Sequence, residues 1–461
     1  MVWLMPWLSN RLVCSSSKMQ KIILSGSAVF TNDEKVGFLN PGAVLLGGGR
    51  IIDVGAPETL RRAHPDAAEE KLGAGLLTPG LVNLHHHLYS SFARGWAIPG
   101  EPAQNFAQIL ERVWWRLDKA LSLDDIYYSG IIGLCESVLS GVTCVVDHHA
   151  SQNSVKGSLE RLADAFRLVG LRGSLCFELS DREGERIFET ALKESIGALA
   201  KWPIGEKNER FSAMVGLHAS LTLSDDSLKK IAEATRVYGA GYHFHLAEDE
   251  IDQRESIARY GMRAAERFAR FGLLNDRSLA VHGVHLDKKE IDILKNSGVN
   301  LALCPRSNQN NAVGFAHWWD YDGLSIGFGS DGIGSDILAE AKSALYLSRH
   351  IKCDPDFGFG LTGQIMLKNN PDIYEKLAGR KVGKIVQGYP ADLVFWDYQS
   401  PTPINADNIW GHYLYGLCGK QADSVWVGGQ RILKEGRFVN FDYEKLMAES
   451  RLLAKAFWER V

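Results

Sequence analysis

The sequence predicts an α/β fold, a (β/α)8 TIM-like barrel carrying a small β-sandwich domain built from both chain ends. Three observations predict it. Eight short apolar runs alternate with amphipathic stretches through the middle of the chain. Short β-type runs separated by Gly, Asn and Pro turns occur at both ends. Histidines and carboxylates recur where the middle runs end, which is where barrel enzymes keep their active sites. At 461 residues the chain also exceeds what one hydrophobic core organises, so a large and a small domain are expected.

Residues 1–19 are apolar at first (Met1, Trp3, Leu4), without a basic start or a clear cleavage site, and read as a disordered extension rather than a signal peptide. A composite sheet domain is expected over residues 20–76 and 385–442. Its strands begin with Lys21-Ile-Ile-Leu24, Ala43-Val-Leu-Leu46 and Arg50-Ile-Ile-Asp-Val54, the last two joined by a hairpin turn at Gly47-Gly-Gly49. They resume with Asp392-Leu-Val-Phe-Trp396, Ser424-Val-Trp-Val427 and Gln430-Arg-Ile-Leu433.

The barrel is expected over residues 77–384. Its strands are read at Leu81–His87, Thr143–His148, Arg172–Leu179, Ala213–Ala219, Gly241–Leu246, Leu279–His285, Asn300–Cys304 and Leu324–Gly329. Helices are read at Asp124–Leu139, Ser158–Leu168, Asp225–Val237, Glu255–Phe271 and Lys288–Lys295. The aromatic stretch from Arg94 to Lys119, with Trp96, Phe106, Trp114 and Trp115, either overhangs the catalytic face or packs as surface helices. A helix over residues 443–461 closes the chain.

Composition excludes several functions. A formal net charge of −4, with no Lys/Arg cluster, gives no surface for nucleic acid or an anionic membrane. No apolar run approaches the ~20 residues of a membrane span. The seven cysteines are scattered and never spaced as C-x-x-C, which argues against disulfide frameworks and thiolate zinc sites and points to the cytoplasm. No G-x-G-x-x-G follows a strand, so a dinucleotide-dependent dehydrogenase is disfavoured.

The chemistry starts at Asn83-Leu-His-His-His87. Alternate strand residues share a face, so His85 and His87 aim two imidazoles at one point, whereas His86 turns outwards. Neutral imidazole suits zinc or iron. On the fifth run, His243-Phe-His-Leu-Ala-Glu248, either histidine could be a ligand. His245 lies nearer the strand's C-terminal end and is preferred, with His243 as its buried neighbour and Glu248 in reach of an activated water. His282 on the sixth run faces the pocket, to hold a second ion or donate to substrate, while His285 points elsewhere. Asp331, among the glycines of Gly327-Phe-Gly-Ser-Asp-Gly332, is placed as a ligand or a base.

These motifs resemble the amidohydrolase superfamily, in its branch of cytosine deaminase, guanine deaminase and chlorohydrolases. The resemblance rests on Pro79 to His87, His245-x-x-Glu248, His282, Ser330-Asp-Gly332 and Pro390-Ala-Asp-Leu-Val394. Further segments, including Trp114-Trp-Arg-Leu-Asp-Lys119, Asp147-His-His-Ala-Ser151 and Gly216-Leu-His-Ala-Ser220, make it similar to the SsnA group of aminohydrolases. The resemblance implies one divalent ion, Zn(2+) or else Fe(2+), on His85, His87, His245 and Asp331. The fourth run has no lysine to bridge two ions.

It also implies a proton shuttle at Glu248, a substrate-polarising His282, and a base at Asp331. His218, Trp115, Arg306 and Asn308 are expected to contact substrate, and Arg306 departs from many deaminases by adding a positive charge. The implied activity is hydrolytic deamination of a small nitrogen heterocycle by an ion-activated water, in a homodimer. Dechlorination or cyclic amide hydrolysis would use the same site, and a catalytically dead scaffold barrel is the rival from another class.

Overall fold

The computed structural model of the protein describes residues 21–205 and 210–461. The extension expected over residues 1–19 lies outside the described residues. A parallel sheet curls through the middle of the chain in the strand order of a TIM-like barrel. Its first three strands are Leu81–His87, Val142–His149 and Arg172–Leu179, each buried along its whole length. Both faces of a parallel barrel strand are covered, so such strands read as nearly unbroken apolar runs. The fourth is broken at Met214 into Phe211–Ala213 and Val215–Leu217. Tyr242–Leu246, Leu279–His282 and Asn300–Leu303 follow. The eighth runs over Ser325–Phe328 and resumes at Asp331–Gly332, which pairs with His86 and His87 of the first.

Three expectations change in detail. The sixth strand stops at His282 rather than His285, because His282 (φ +74°) and Gly283 (φ +63°) both leave the β region. The single helix expected over Glu255–Phe271 is two, Glu250–Tyr260 and Ala264–Arg270, divided by Gly261 in the left-handed conformation (φ +70°) that ends helices. The fourth strand, expected unbroken over Ala213–Ala219, is split at Met214 and ends at Leu217, whereas the eighth keeps its expected run over Ser325–Phe328.

The gap between Phe328 and Asp331 in the eighth strand is filled by side chains. Buried Asn370 accepts from Phe328 N (2.8 Å) and donates to Val82 O (2.8 Å) and Phe328 O (3.0 Å), replacing ladder bonds between the first and eighth strands. Asn83 donates to Ser330 Oγ (2.8 Å) and accepts from Ser330 N (3.1 Å) just beyond.

Strands from both chain ends form one nine-stranded sheet, joined where Leu76–Pro79 pairs antiparallel with Leu393–Trp396. Leu24, Val44, Leu77, Leu393 and Trp426 fill one apolar cluster, and Ile23, Ala43, Leu45 and Leu60 another, following strand alternation. The Gly47–Arg50 turn is a hairpin with Gly48 and Gly49 both at positive φ. Asp392 pins this sheet to the barrel. It accepts from Arg172 Nε (2.7 Å) and Nη2 (2.9 Å) on the third barrel strand and from Gly428 N (2.7 Å). The closing helix is Tyr443–Trp458, and no helix among the described residues is long and apolar enough to cross a membrane.

Replacing Asn370 by Ala would leave three buried backbone groups without partners at the barrel seam. Each such group costs about 1–3 kcal/mol, so Asn370→Ala should lower the denaturation midpoint by the equivalent of roughly 3 kcal/mol or more. An unchanged urea midpoint would show that the seam closes without it.

Candidate active site

The ends of the first, fifth, sixth and eighth barrel strands bring His85, His87, His245, His282, Glu248 and Asp331 together. His87 Nε2 lies 3.1 Å from His245 Nε2 and 3.2 Å from Asp331 Oδ1, and His85 Nε2 lies 3.4 Å from the same oxygen. With zinc–nitrogen and zinc–oxygen bonds of about 2.0–2.1 Å, the edge of a ligand tetrahedron is about 3.3 Å. The spacing therefore fits His85, His87 and Asp331 as ligands around one small cation, with His245 beside His87. His85 Nε2 is buried with no hydrogen-bond partner among the described residues, an arrangement that a cation satisfies and an empty core does not.

The other ring nitrogens fix how these ligands point. His87 Nδ1 donates to His148 O (2.6 Å) and His245 Nδ1 donates to His218 O (2.9 Å), leaving each Nε2 as the free lone pair. His85 Nδ1 meets His243 Nε2 at 2.9 Å, so His243 is a buried supporting neighbour. His86 turns away to Ser335 Oγ (2.8 Å), and His285 bonds Val313 O (2.8 Å).

The two carboxylates are driven apart. Burial raises Asp331, but the adjoining imidazoles of His85 and His87 outweigh it and hold the group well below the usual carboxylate range. Burial and then the charge of Asp331 push Glu248 well above that range. Glu248 Oε2 lies 3.3 Å from His282 Nε2, and Asn311 Nδ2 donates to Glu248 Oε1 (3.3 Å). Asn308 Nδ2 donates to His282 Nδ1 (2.9 Å), so His282 carries its proton on Nε2, facing Glu248. Burial lowers His282 to about 4, which keeps that imidazole neutral.

A cavity of about 810 Å³ opens over these groups. His218 lines it, with Nδ1 on Thr222 Oγ1 (2.7 Å), and Trp115 lines it 6.1 Å from the His218 ring. Phe106, Leu110 and Trp114 continue the wall, so the aromatic stretch does overhang the catalytic face; Trp96 packs instead against Arg116. Arg306 stands at the rim, about half exposed, beside buried Glu340 (3.6 Å). Asn308, read from sequence as a substrate contact, is buried behind His282 and acts on that imidazole.

Several groups escaped the sequence reading. Ser307 Oγ donates to Asp331 Oδ2. Arg182 donates to Asp118 (2.9 Å) and Glu178 (2.8 Å), and all three lie under the cavity. Burial pushes Asp118 up to about 7 against the pull of Arg182. Only Glu178 left a signal, its place next to last on the third barrel strand.

The profile of the Amidohydrolase family matches residues 76–432. The protein belongs to the amidohydrolase family. Among curated relatives of this amidohydrolase is a 5'-deoxyadenosine deaminase of Methanopyrus kandleri, 30% identical over 439 residues, covering 94% of this chain and 98% of the relative. Another is a 5-methylthioadenosine/S-adenosylhomocysteine deaminase of Pelotomaculum thermopropionicum, 29% identical over 454 residues, covering 94% and 98%. An adenosine deaminase from Xanthomonas campestris with bound zinc superposes with a TM-score of 0.82 over 96% of this chain and 99% of that one, at 21% identity.

Burial lowers His87, but the adjoining Asp331 carboxylate outweighs it and takes this imidazole to about 9. Neutral imidazole is the ligand form, so a cation must displace that proton. Metal uptake by the amidohydrolase should release protons, and its affinity should weaken about tenfold for each pH unit below about 9. Chelator competition at several pH values reads this directly; an affinity flat across neutral pH would remove His87 from the ligand set.

Proposed function

We propose that this amidohydrolase is a metal-dependent aminohydrolase that deaminates an adenine-type ring, the ring of a nucleoside. The observation that carries the reading is two carboxylates in opposed surroundings at one centre, Asp331 against His85 and His87 (3.4 and 3.2 Å) and held low, Glu248 buried beside His282 (3.3 Å) and pushed high. A hydrolysis that breaks a ring C–N bond needs a base and an acid at once, and this pair supplies both. Support comes from relatives that share nearly the whole chain and are named deaminases of 5'-deoxyadenosine and 5-methylthioadenosine/S-adenosylhomocysteine.

The residues that would hold a divalent ion are His85, His87, His245 and Asp331, with zinc proposed on the donor set and spacing and iron as the alternative. When bound, the ion lowers the pKa of water towards roughly 7. Asp331 takes the proton of the attacking water as it adds to the ring carbon bearing the amino group. Glu248 gives its proton to the adjacent ring nitrogen. His282 Nε2–H, aimed by Asn308, hydrogen-bonds the oxygen as the carbon becomes tetrahedral. Asp331 then passes the proton it took to the amino group, the C–N bond breaks and ammonia leaves, and the hydroxyl proton returns to Glu248 as the carbonyl forms. His218 and Trp115 lie where they can hold the ring.

The same groups would serve dechlorination or cyclic amide opening, and the leaving group separates the three. The likeness to SsnA-type aminohydrolases, a homodimer and a cytoplasmic location belong to this proposal, the last supported by six described cysteines that are all free.

An ammonia-release screen of the metal-loaded protein over purines and their nucleosides, pterins, pyrimidines and triazines should find adenine nucleosides turned over. Silence across that panel would sink the deaminase reading in favour of ring opening or dehalogenation. Glu248→Gln should keep its metal and lose roughly 10²–10⁴ of kcat, and retained turnover would take Glu248 out of the mechanism.

A further inference from the structure

Behind the ligand histidines, inside the barrel, runs a line of polar groups that the chemistry above does not use. His243 on the fifth strand, Cys176 on the third and Asp147 on the second meet there, all wholly buried. Cys176 otherwise packs among Val82, Leu84, Val146 and Met214, an apolar layer that asks for no hydrogen-bonding side chain. Yet His85 Nδ1 lies 2.9 Å from His243 Nε2, His243 Nδ1 lies 3.6 Å from Cys176 Sγ, and Cys176 Sγ lies 3.4 Å from the backbone Asp147 O. The groups form one line from a carbonyl oxygen to a proposed metal ligand.

Such a line has a direction. Burial holds the His85 and His243 imidazoles low and the Cys176 thiol high, so none of the three is charged. A neutral imidazole offers one N–H and one lone pair, and a thiol one S–H and a sulfur that accepts. Asp147 O can only accept, and it lies nearer the sulfur than His243 Nδ1 does, so it takes the S–H. The sulfur is left to accept from His243 Nδ1–H, and His243 Nε2 accepts from His85 Nδ1–H. The lone pair left at the end of the line is His85 Nε2. The reverse order would put a proton on that atom, which is buried with no hydrogen-bond partner among the described residues. A buried N–H without a partner is costly.

We propose that Cys176, acting through His243, is a positioning residue that holds His85 in the tautomer whose Nε2 can bind a cation. Groups behind a ligand histidine fix which of its nitrogens is free, and here the choice is passed on through a second ring to a thiol. Without the sulfur, His243 Nδ1–H loses its acceptor and the ring proton moves to Nε2. His85 Nδ1 must then accept, and the proton of His85 comes to rest on Nε2, where an incoming cation has to displace it. Cys176 is not among the residues that line the catalytic cavity, so its effect on the site passes through the His243 ring.

The inference rests on His85 as a ligand and is tested so that the two can fail separately. The affinity of the full chain for zinc is measured by chelator competition. Cys176→Ala, checked for its melting temperature, should bind zinc about tenfold or more weakly, the loss typical of groups that support a ligand histidine. In a His243→Leu background the same substitution should cost less than about twofold, because the line is already cut. Wild-type affinity in a folded Cys176→Ala overturns the proposal, as does an equal loss with and without His243. The second readout is the two-bond proton–nitrogen spectrum of the histidines in the zinc-stripped wild-type chain, with His243 assigned through its backbone. Its ring proton should sit on Nδ1, and in Cys176→Ala it should move to Nε2. A wild-type His243 that carries its proton on Nε2 overturns the proposal even if neither variant folds. If the wild-type chain takes up no zinc, the ligand reading falls, and the same spectrum alone decides the direction of the line.

Discussion

Everything at the metal centre depends on how the eighth barrel strand closes against the first. Gly329 passes so near His85 that a Cβ there would lie 2.6 Å from the His85 Cβ, so only glycine lets the two backbones meet. Asn370 and Asn83 then supply the hydrogen bonds that a continuous ladder would have made. The chain resumes at Asp331 in the left-handed region (φ +60°), which turns its carboxylate towards His85 and His87. Ala247 (φ +51°), His282 (φ +74°) and Ile333 (φ +71°) share that conformation around the same cavity. Non-glycine residues there cost of order 1–3 kcal/mol each and persist only where their surroundings over-determine them. Ser90 Oγ accepts from Ile333 N (2.7 Å) and Asp252 Oδ2 accepts from Ala247 N (2.9 Å), which is the kind of restraint required.

The same closure sorts the protons. Asp331 is held low because two imidazoles adjoin it, and Glu248 is pushed high because it is buried near that charge with an amide as its partner. Neither state is a property of the residue type. Asn308 extends the logic to His282, since an amide N–H on Nδ1 leaves only Nε2 to carry the ring proton. Which of these groups holds a proton is thus decided by neighbouring side chains rather than by residue type.

Legibility in the sequence followed locality. The runs Leu81–His87 and Arg172–Leu179 have the bounds read from them, because fully buried parallel strands announce themselves as unbroken apolar segments. The ligand histidines were legible for a similar reason, as a period of two places His85 and His87 on one face whatever follows. Gly261 and Gly283 were visible stop signals, and reading through them merged two helices and lengthened a strand. The seam at Asn370 could not be read, because its partners Val82 and Phe328 are 288 and 42 residues away. Nor could the Arg182 pairings. Asp118 is 64 residues from Arg182 and comes from an aromatic stretch that looked equally like surface packing.

That stretch shows how a cavity wall can be held in place. The helix Trp115–Ala120 turns Trp115 and Asp118 towards the cavity and Arg116 away from it. Arg116 bonds Val461 O (2.6 Å) and lies over the Trp96 ring, while Trp458 Nε1 donates to Phe92 O (2.7 Å) from the closing helix. Phe457, wholly buried, packs on Phe92. The wall is therefore held by the closing helix through Arg116 and by Arg182 through Asp118. A side chain fixed in this way need not be ordered when a substrate arrives, in the way that fixed dipoles at a reacting centre act without reorganising.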